Sequence, residues 1–320
     1  MTLETHRPSS PRRRLFLCAA LTLAALCLLP SASAQAAPIQ VQVDLHVISV
    51  GNFDVAKGSY TMDFYLVFHW PTSAPANFTP STFEFMNGRA ASRDKVYEGV
   101  ADGQHELWYR VQANLYTDPD FTRYPFGNEQ LTIVLEDSVH AQDELVYVPH
   151  LSGSGLDDEA QVAGWRISGT STDVHSKEYP FGETYSRMTF AVHVEREALS
   201  TGLRSFLPPL GFCIVAGVAL FLHPSKIANR LGLGTSMVIS AVGFHVSQTV
   251  SLPTLGSLTL FDKVMIAVYT FIVCSLGVTT LMAVNEDYWK HPEWTRRLTI
   301  FGTLATFVLP LVVLLAVWWT

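Results

Sequence analysis

Four apolar runs lie in the C-terminal part of this chain, at about 204–222, 230–250, 263–284 and 298–319. Each reaches the roughly 20 residues a helix needs to cross the hydrocarbon of a bilayer. Backbone groups in hydrocarbon must bond within their own segment, so runs of this kind are restricted to helices. Composition points the same way: the 320 residues are 48% hydrophobic and only 15% charged, too apolar for an ordinary soluble domain. A multi-pass membrane protein is expected. Pro208 and Pro209 fall early in the first run, where the backbone groups they free need other partners.

The rest of the chain follows a different pattern. Residues 1–36 read as a secretory signal, with Arg12, Arg13 and Arg14 before the short apolar core "LFLCAALTLAALCLLP" and the small-residue stretch "SASAQA". Residues 37–198 hold no membrane-length run. They carry short alternating segments instead, among them "IQVQVDLHVIS", "YTMDFYLVFHW", "LWYRVQANLY", "LTIVLED" and "SRMTFAVHVER", divided by Gly, Pro, Asp and Asn clusters. That spacing predicts an all-β sandwich of about eight to ten strands. The expected organisation is therefore a signal peptide at 1–36, an extracellular β-sandwich at 37–198 and a four-helix transmembrane domain at 199–320. Cys18 and Cys27 lie in the leader and Cys213 and Cys274 in apolar runs, so the sandwich must fold without disulfides.

Loop charges set the orientation. Lys226 and Arg230 lie between the first and second spans; Lys290, Arg296 and Arg297 lie between the third and fourth. The positive-inside tendency makes both loops cytoplasmic. The sandwich is then outside, where the leader sends it: a cell-membrane protein with a periplasmic or extracellular N-terminal domain, in the inner membrane if the cell is Gram-negative. The net charge is −7, and removing the leader takes four Arg and one Glu, which makes it more acidic. An acidic chain argues against nucleic-acid binding.

The second span is oddly made for a lipid anchor. Leu231 to Leu252 contains no charge, yet it holds glycines, hydroxyls, a Gln and a His. Gly232, Ser236, Ile239, Gly243, Val246 and Val250 recur at helical steps and form one stripe. In a ring of identical subunits that stripe would line a pore, closed by aliphatic rings at Ile239 and Val246 that shed water. A buried helix that packs through small residues has the same pattern, and the stripe alone leaves both readings open. His245, one step away, can be a bonded bundle residue or a proton sensor.

Several motifs then line up in order. "RYPFGNEQLTIVLED" at 123–137, "VAGWRI", "FLPPLGF" and "NRLGLGTSMVIS…TVSLP" together resemble the signature turn, following strands and pore helix of the pentameric ligand-gated ion channels, the Cys-loop receptor superfamily. The missing cysteines around 123–137 match its prokaryotic branch. The resemblance implies a homopentamer in membrane lipid, gated by a small molecule or by protons, that passes ions through a pore lined by the second span. It implies gating coupling through Asp54, Phe126, Arg196 and Pro253, with Arg196 paired to Asp54. It places a ligand pocket between subunits at Tyr179, Phe181 and Tyr185, faced by Trp108 of a neighbour. At the inner mouth, cation-passing members carry a Glu where this chain has Ala228 and Asn229, followed by Arg230, which is closer to the anion-passing branch. The turn Asp of the family is Gly127 here.

An enzyme reading finds no H-E-x-x-H, G-x-S-x-G or phosphate loop. The histidines show no metal-ligand spacing, and neither a metal nor a cofactor is expected. The competing class is a non-conducting membrane receptor or sensor with the same fold.

Overall fold

The computed structural model describes residues 37–223 and 226–318; the expected leader at 1–36 lies outside them. Ten strands come first among the described residues: β1 (Ile39–Asp54), β2 (Ser59–Pro71), β3 (Phe83–Phe85), β4 (Gly88–Ala101), β5 (Gln104–Tyr116), β6 (Asn128–Asp137), β7 (Leu145–Pro149), β8 (Gly155–Leu156), β9 (Arg166–Glu178) and β10 (Thr184–Glu195). One sheet runs β4-β5-β2-β1-β7, with β8 also pairing to β1; the other runs β3-β6-β10-β9.

The two-residue period of a strand places the core. Val41, Val43, Leu45 and Val47 of β1 point inward, as do Leu131, Ile133 and Leu135 of β6 and Met188, Phe190, Val192 and Val194 of β10. Each such side chain contributes about 1.5–3 kcal/mol by leaving water. A polar tie centred on Tyr60 joins the sheets. The Tyr60 hydroxyl donates to the Thr132 carbonyl at 2.7 Å and accepts from the Thr132 amide at 2.8 Å. Asn87 donates to the Tyr60 hydroxyl at 3.2 Å and to the Thr132 carbonyl at 2.8 Å. The sequence pattern marked neither the short β3 and β8 nor β4, a long strand that lies at a sheet edge with almost every side chain exposed and so has no apolar alternation.

Four helices long and apolar enough to cross a membrane follow: α1 (Ala198–Phe221), α2 (Ile227–Thr249), α3 (Leu260–Trp289) and α4 (Pro292–Trp318). The protein is an all-β sandwich followed by a multi-pass helical membrane region. α1 starts earlier than its apolar run, directly after β10, and continues through Pro208 and Pro209. α3 opens on a reciprocal cap: the Thr259 hydroxyl accepts from the Asp262 amide, and the Asp262 carboxylate accepts from the Thr259 amide. Phe261, Met265 and Ile272 of α3 are fully buried and form the centre of the bundle. α4 exposes Leu304, Leu311, Leu315 and Trp318, an apolar surface suited to hydrocarbon.

Candidate functional site

α2 has two unlike faces. On one, Gly234 and Ala241 are buried, and a Cβ built on Gly234 would sit 2.7 Å from Leu276 of α3. This is close packing through a small residue. On the other, all six residues of the expected stripe are exposed in the chain: Gly232, Ser236, Ile239, Gly243, Val246 and Val250. Ile239 is 74% exposed and Val250 77%. A Cβ on Gly232 or Gly243 would meet no neighbour within 4 Å. The small residues that pack α2 against its own bundle are therefore different from the small residues of the stripe. The Ser236 hydroxyl donates to the Gly232 carbonyl at 2.8 Å, which satisfies it without a partner from another helix.

The inner end differs from expectation. Ala228 and Asn229 are exposed, but Arg230 is 2% exposed and turns into the bundle. Its guanidinium donates to the carbonyls of Leu220, at 2.9 Å, and Leu222, at the end of α1, and lies against the Met282 sulfur. Carbonyls left over at a helix end are ready acceptors for a cation, and they take this charge inward. Arg230 therefore does not offer a charged ring at the mouth of the stripe. His245 is also held inside, with Nδ1 2.9 Å from the Tyr269 hydroxyl and Nε2 2.9 Å from an Asp262 oxygen.

The sandwich meets the helices through the 123–127 turn. The Tyr124 hydroxyl donates to the Gln248 carbonyl near the end of α2, at 2.8 Å. The amides of Leu260 and Phe261, which begin α3, donate to the carbonyls of Thr122 and Tyr124 at 3.0 and 2.9 Å. Phe126 lies 5.9 Å from the Phe206 ring of α1 and covers Gly202. Pro253 is exposed in the α2–α3 loop. The expected Asp54–Arg196 pair is not formed. Asp54 bonds Lys57, three residues on, at 2.8 Å, because a neighbour in the same turn is reached at little entropic cost. The Arg196 guanidinium lies instead over the Trp165 ring at 4.9 Å and the Tyr124 ring at 5.9 Å, a cation–π contact. Beside Gly127 the indole of Trp165 comes within 3.4 Å of where a Cβ would be.

A group the sequence did not flag lies two residues past Gly127. Glu129, at the start of β6, is 7% exposed. Burial raises its carboxyl pKa from 4.5 to about 7; Asp120 pushes the same way and Arg196 opposes. Next to the turn, a cavity of about 1080 Å³ is lined by Tyr124, Trp165, Arg196, Arg204 and Gln248, among others.

The expected ligand-binding aromatics partly assemble. The Tyr179 ring stacks on Phe181 with centroids 5.1 Å apart and meets Tyr185 edge-on at 5.8 Å. The Tyr179 hydroxyl donates to Glu136, which also holds Arg187. Glu183 accepts from the Tyr185 hydroxyl at 2.6 Å and pushes its pKa up to about 12. Trp108 stands on β5 in the other sheet, 38% exposed, edge-on to Tyr97 at 6.1 Å. Asp262 could have been found from sequence, since Thr259 and Asp262 have capping-box spacing. Tyr124 and Gln248 carry no such signal.

No family model matches the chain. Individual proteins do. The human gamma-aminobutyric acid receptor subunit rho-3 is 21% identical over 273 residues, 78% of this chain and 58% of that subunit. The proton-gated ion channel of Gloeobacter violaceus is 22% identical over 299 residues, 87% of this chain and 81% of that protein. The pH-sensitive chloride channel 2 of Anopheles gambiae is 25% identical over 172 residues, 51% of this chain and 28% of that channel. The chain thus spans little more than half of the receptor subunit and about a quarter of the mosquito channel. Similarity that runs through sandwich and helices alike, in a chain with this strand order and four apolar helices, makes the protein a distant relative of the Cys-loop pentameric ion channels.

Proposed function

We propose that the chain is one subunit of a homopentameric ion channel, in which five copies of α2 surround a water-filled axis. The observation that carries this reading is the division of α2 into a packed face at Gly234 and Ala241 and a separate uncovered stripe. A stripe that its own bundle leaves open is free to face a shared axis. Stacked rings of Ile239 and Val246 would shut the column by dewetting, while Ser236 and Gly232 form a wetter inner section. Five-fold symmetry is taken from the superfamily.

Gating would pass from the sandwich through the 123–127 turn into α2 and α3, with Phe126 on α1 and Pro253 in the adjoining loop. The agonist is a proton or a small molecule. Glu129 supports the first, since its pKa of about 7 lies at this junction and two relatives are named for proton or pH sensitivity. The Tyr179–Phe181–Tyr185 cluster, faced by Trp108 of a neighbour, supports the second. The inner mouth, at Ala228 and Asn229, carries no carboxylate, which fits anions better than cations, and one relative is named a chloride channel. The sandwich lies outside the cell membrane, and the exposed Lys226, Lys290, Arg296 and Arg297 face the cytoplasm.

The test is current recording from the purified chain in liposomes, across pH and candidate ligands, in a chloride gradient. Gated current whose reversal potential follows chloride is expected, and Ile239→Ser should leak at rest because a polar ring stays wet. A five-copy assembly that never conducts would instead support a non-conducting receptor of the same fold. A reversal potential that follows potassium would reject the anion preference.

A further inference from the structure

A second cluster lies on the sandwich, on the outer side of β1. Asp44 sits between the core residues Val43 and Leu45 and so faces away from the core. Its two oxygens meet two imidazoles: Oδ2 is 2.9 Å from His69 Nε2 on β2, and Oδ1 is 2.6 Å from His150 Nδ1, just past β7. The ligand atoms of the three residues all lie within 4.8 Å of one another. Asp44 and His69 are largely buried and His150 is half-exposed.

The surroundings hold these groups in place. The 150–154 loop is fixed to β1: the His150 amide donates to the Val43 carbonyl at 3.0 Å, and the Leu45 amide donates to the Ser154 hydroxyl at 3.1 Å. Gly153 closes over the carboxylate so tightly that a Cβ there would lie 2.3 Å from Asp44 Oδ1. The far nitrogen of each imidazole also has an oxygen beside it. Glu106 lies 3.7 Å from His69 Nδ1, and the Ser152 hydroxyl lies 2.7 Å from His150 Nε2. A neutral imidazole has one proton, yet His69 has a carboxylate at each nitrogen. A second proton resolves this by making the ring an imidazolium, and a metal cation on the Nε2 side does so equally, leaving Nδ1–H on the side of Glu106. Outer oxygens orient metal-bound histidines in this way.

We propose that Asp44, His69 and His150 form a three-ligand site for a divalent transition-metal ion of the zinc class. Imidazole with carboxylate suits such ions, whereas calcium and magnesium prefer all-oxygen shells. Tetrahedral bonds of about 2.0–2.2 Å set ligand atoms about 3.3 Å apart, so the Asp44–imidazole contacts of 2.9 and 2.6 Å open by about 0.4 and 0.7 Å, and the three atoms, spread within 4.8 Å, regroup around the ion through rotation of the half-exposed His150 ring. The fourth position is open to water or to an outside donor. The bound ion cross-links β1, β2 and the loop after β7, in a different sheet from the Tyr179 cluster.

The experiment uses the tag-free full chain in detergent, stripped by a chelator and titrated with Zn²⁺ and Co²⁺ by calorimetry, with melting followed in parallel. Uptake of about one ion per chain is expected, with a higher melting temperature in Zn²⁺ and no rise in Mg²⁺ or Ca²⁺. Loss of an outer-shell partner costs about 10–100-fold in affinity, so His69→Ala and His150→Ala should each cost at least that much. His150→Cys returns a ligand atom and should give a Co²⁺–thiolate absorption band. That band is decisive even if the alanine variants fail to fold. The proposal is overturned by any of three results: no Zn²⁺ uptake, uptake unchanged in both alanine variants, or His150→Cys without the band.

Discussion

Replacing Glu129 by Gln removes a carboxyl from a place where burial opposes its charge. The native pKa of about 7 lies roughly 2.5 units above the 4.5 of the free side chain. At about 1.36 kcal/mol per unit, this is a ceiling near 3 kcal/mol. A raised carboxyl pKa means that the folded state holds the proton more tightly than the unfolded one. The contribution is complete below about pH 4.5, drains as pH rises toward 7, and is absent above it. Glutamine stays neutral and keeps the oxygen that accepts from the Asp120 backbone, so the variant should match the parent near pH 4.5 and exceed it at pH 8. Attraction to Arg196 offsets part of the penalty, and a difference of about 1–3 kcal/mol is expected, or about 2–12 °C for a sandwich of this size. Thermal melting of both proteins in the same detergent, from pH 4.5 to 8, reads it. Since carboxylates remote from Glu129 are common to the two proteins, the observable is the difference between the curves. Parallel curves across the range would mean that Glu129 titrates at its ordinary value and that the burial argument is wrong.

Three further substitutions test the packing. Gly234→Val should destabilise the bundle by about 1–3 kcal/mol, because its Cβ would sit 2.7 Å from Leu276, whereas Gly243→Ala should melt at or above the parent temperature; equal losses in denaturant unfolding would refute the two-faced description of α2. Tyr60→Phe leaves the Thr132 amide without its partner and should cost about 1–3 kcal/mol; an unchanged melting temperature would show that this tie between the sheets is dispensable.

What the sequence disclosed depended on whether the information was periodic. The inward alternation of β1, β6 and β10 and the helical steps from Gly232 to Val250 could be read because one element fixes them. β4 escaped because an exposed edge strand has no apolar face. The destination of Arg230 was not legible either, since its acceptors are carbonyls at the end of another helix. Asp54 bonded locally to Lys57, and its distant expected partner, Arg196, found an indole. Asp44, His69 and His150 stand 25 and 106 residues apart, and only strand pairing brings them together, so no spacing rule could find them.

The 123–127 turn is fastened to two neighbouring helices at once. A side-chain hydroxyl grips the last turn of α2, and two main-chain carbonyls grip the first residues of α3. Main-chain bonds persist through any side-chain replacement, so the hold on α3 is insensitive to mutation of the turn, while the hold on α2 hangs on the single phenol of Tyr124. A displacement of the sandwich is therefore expected to pull on both helices as a yoked pair. Cutting that one phenolic link would leave the inner helix to follow only through its contacts with the outer one, such as His245–Asp262.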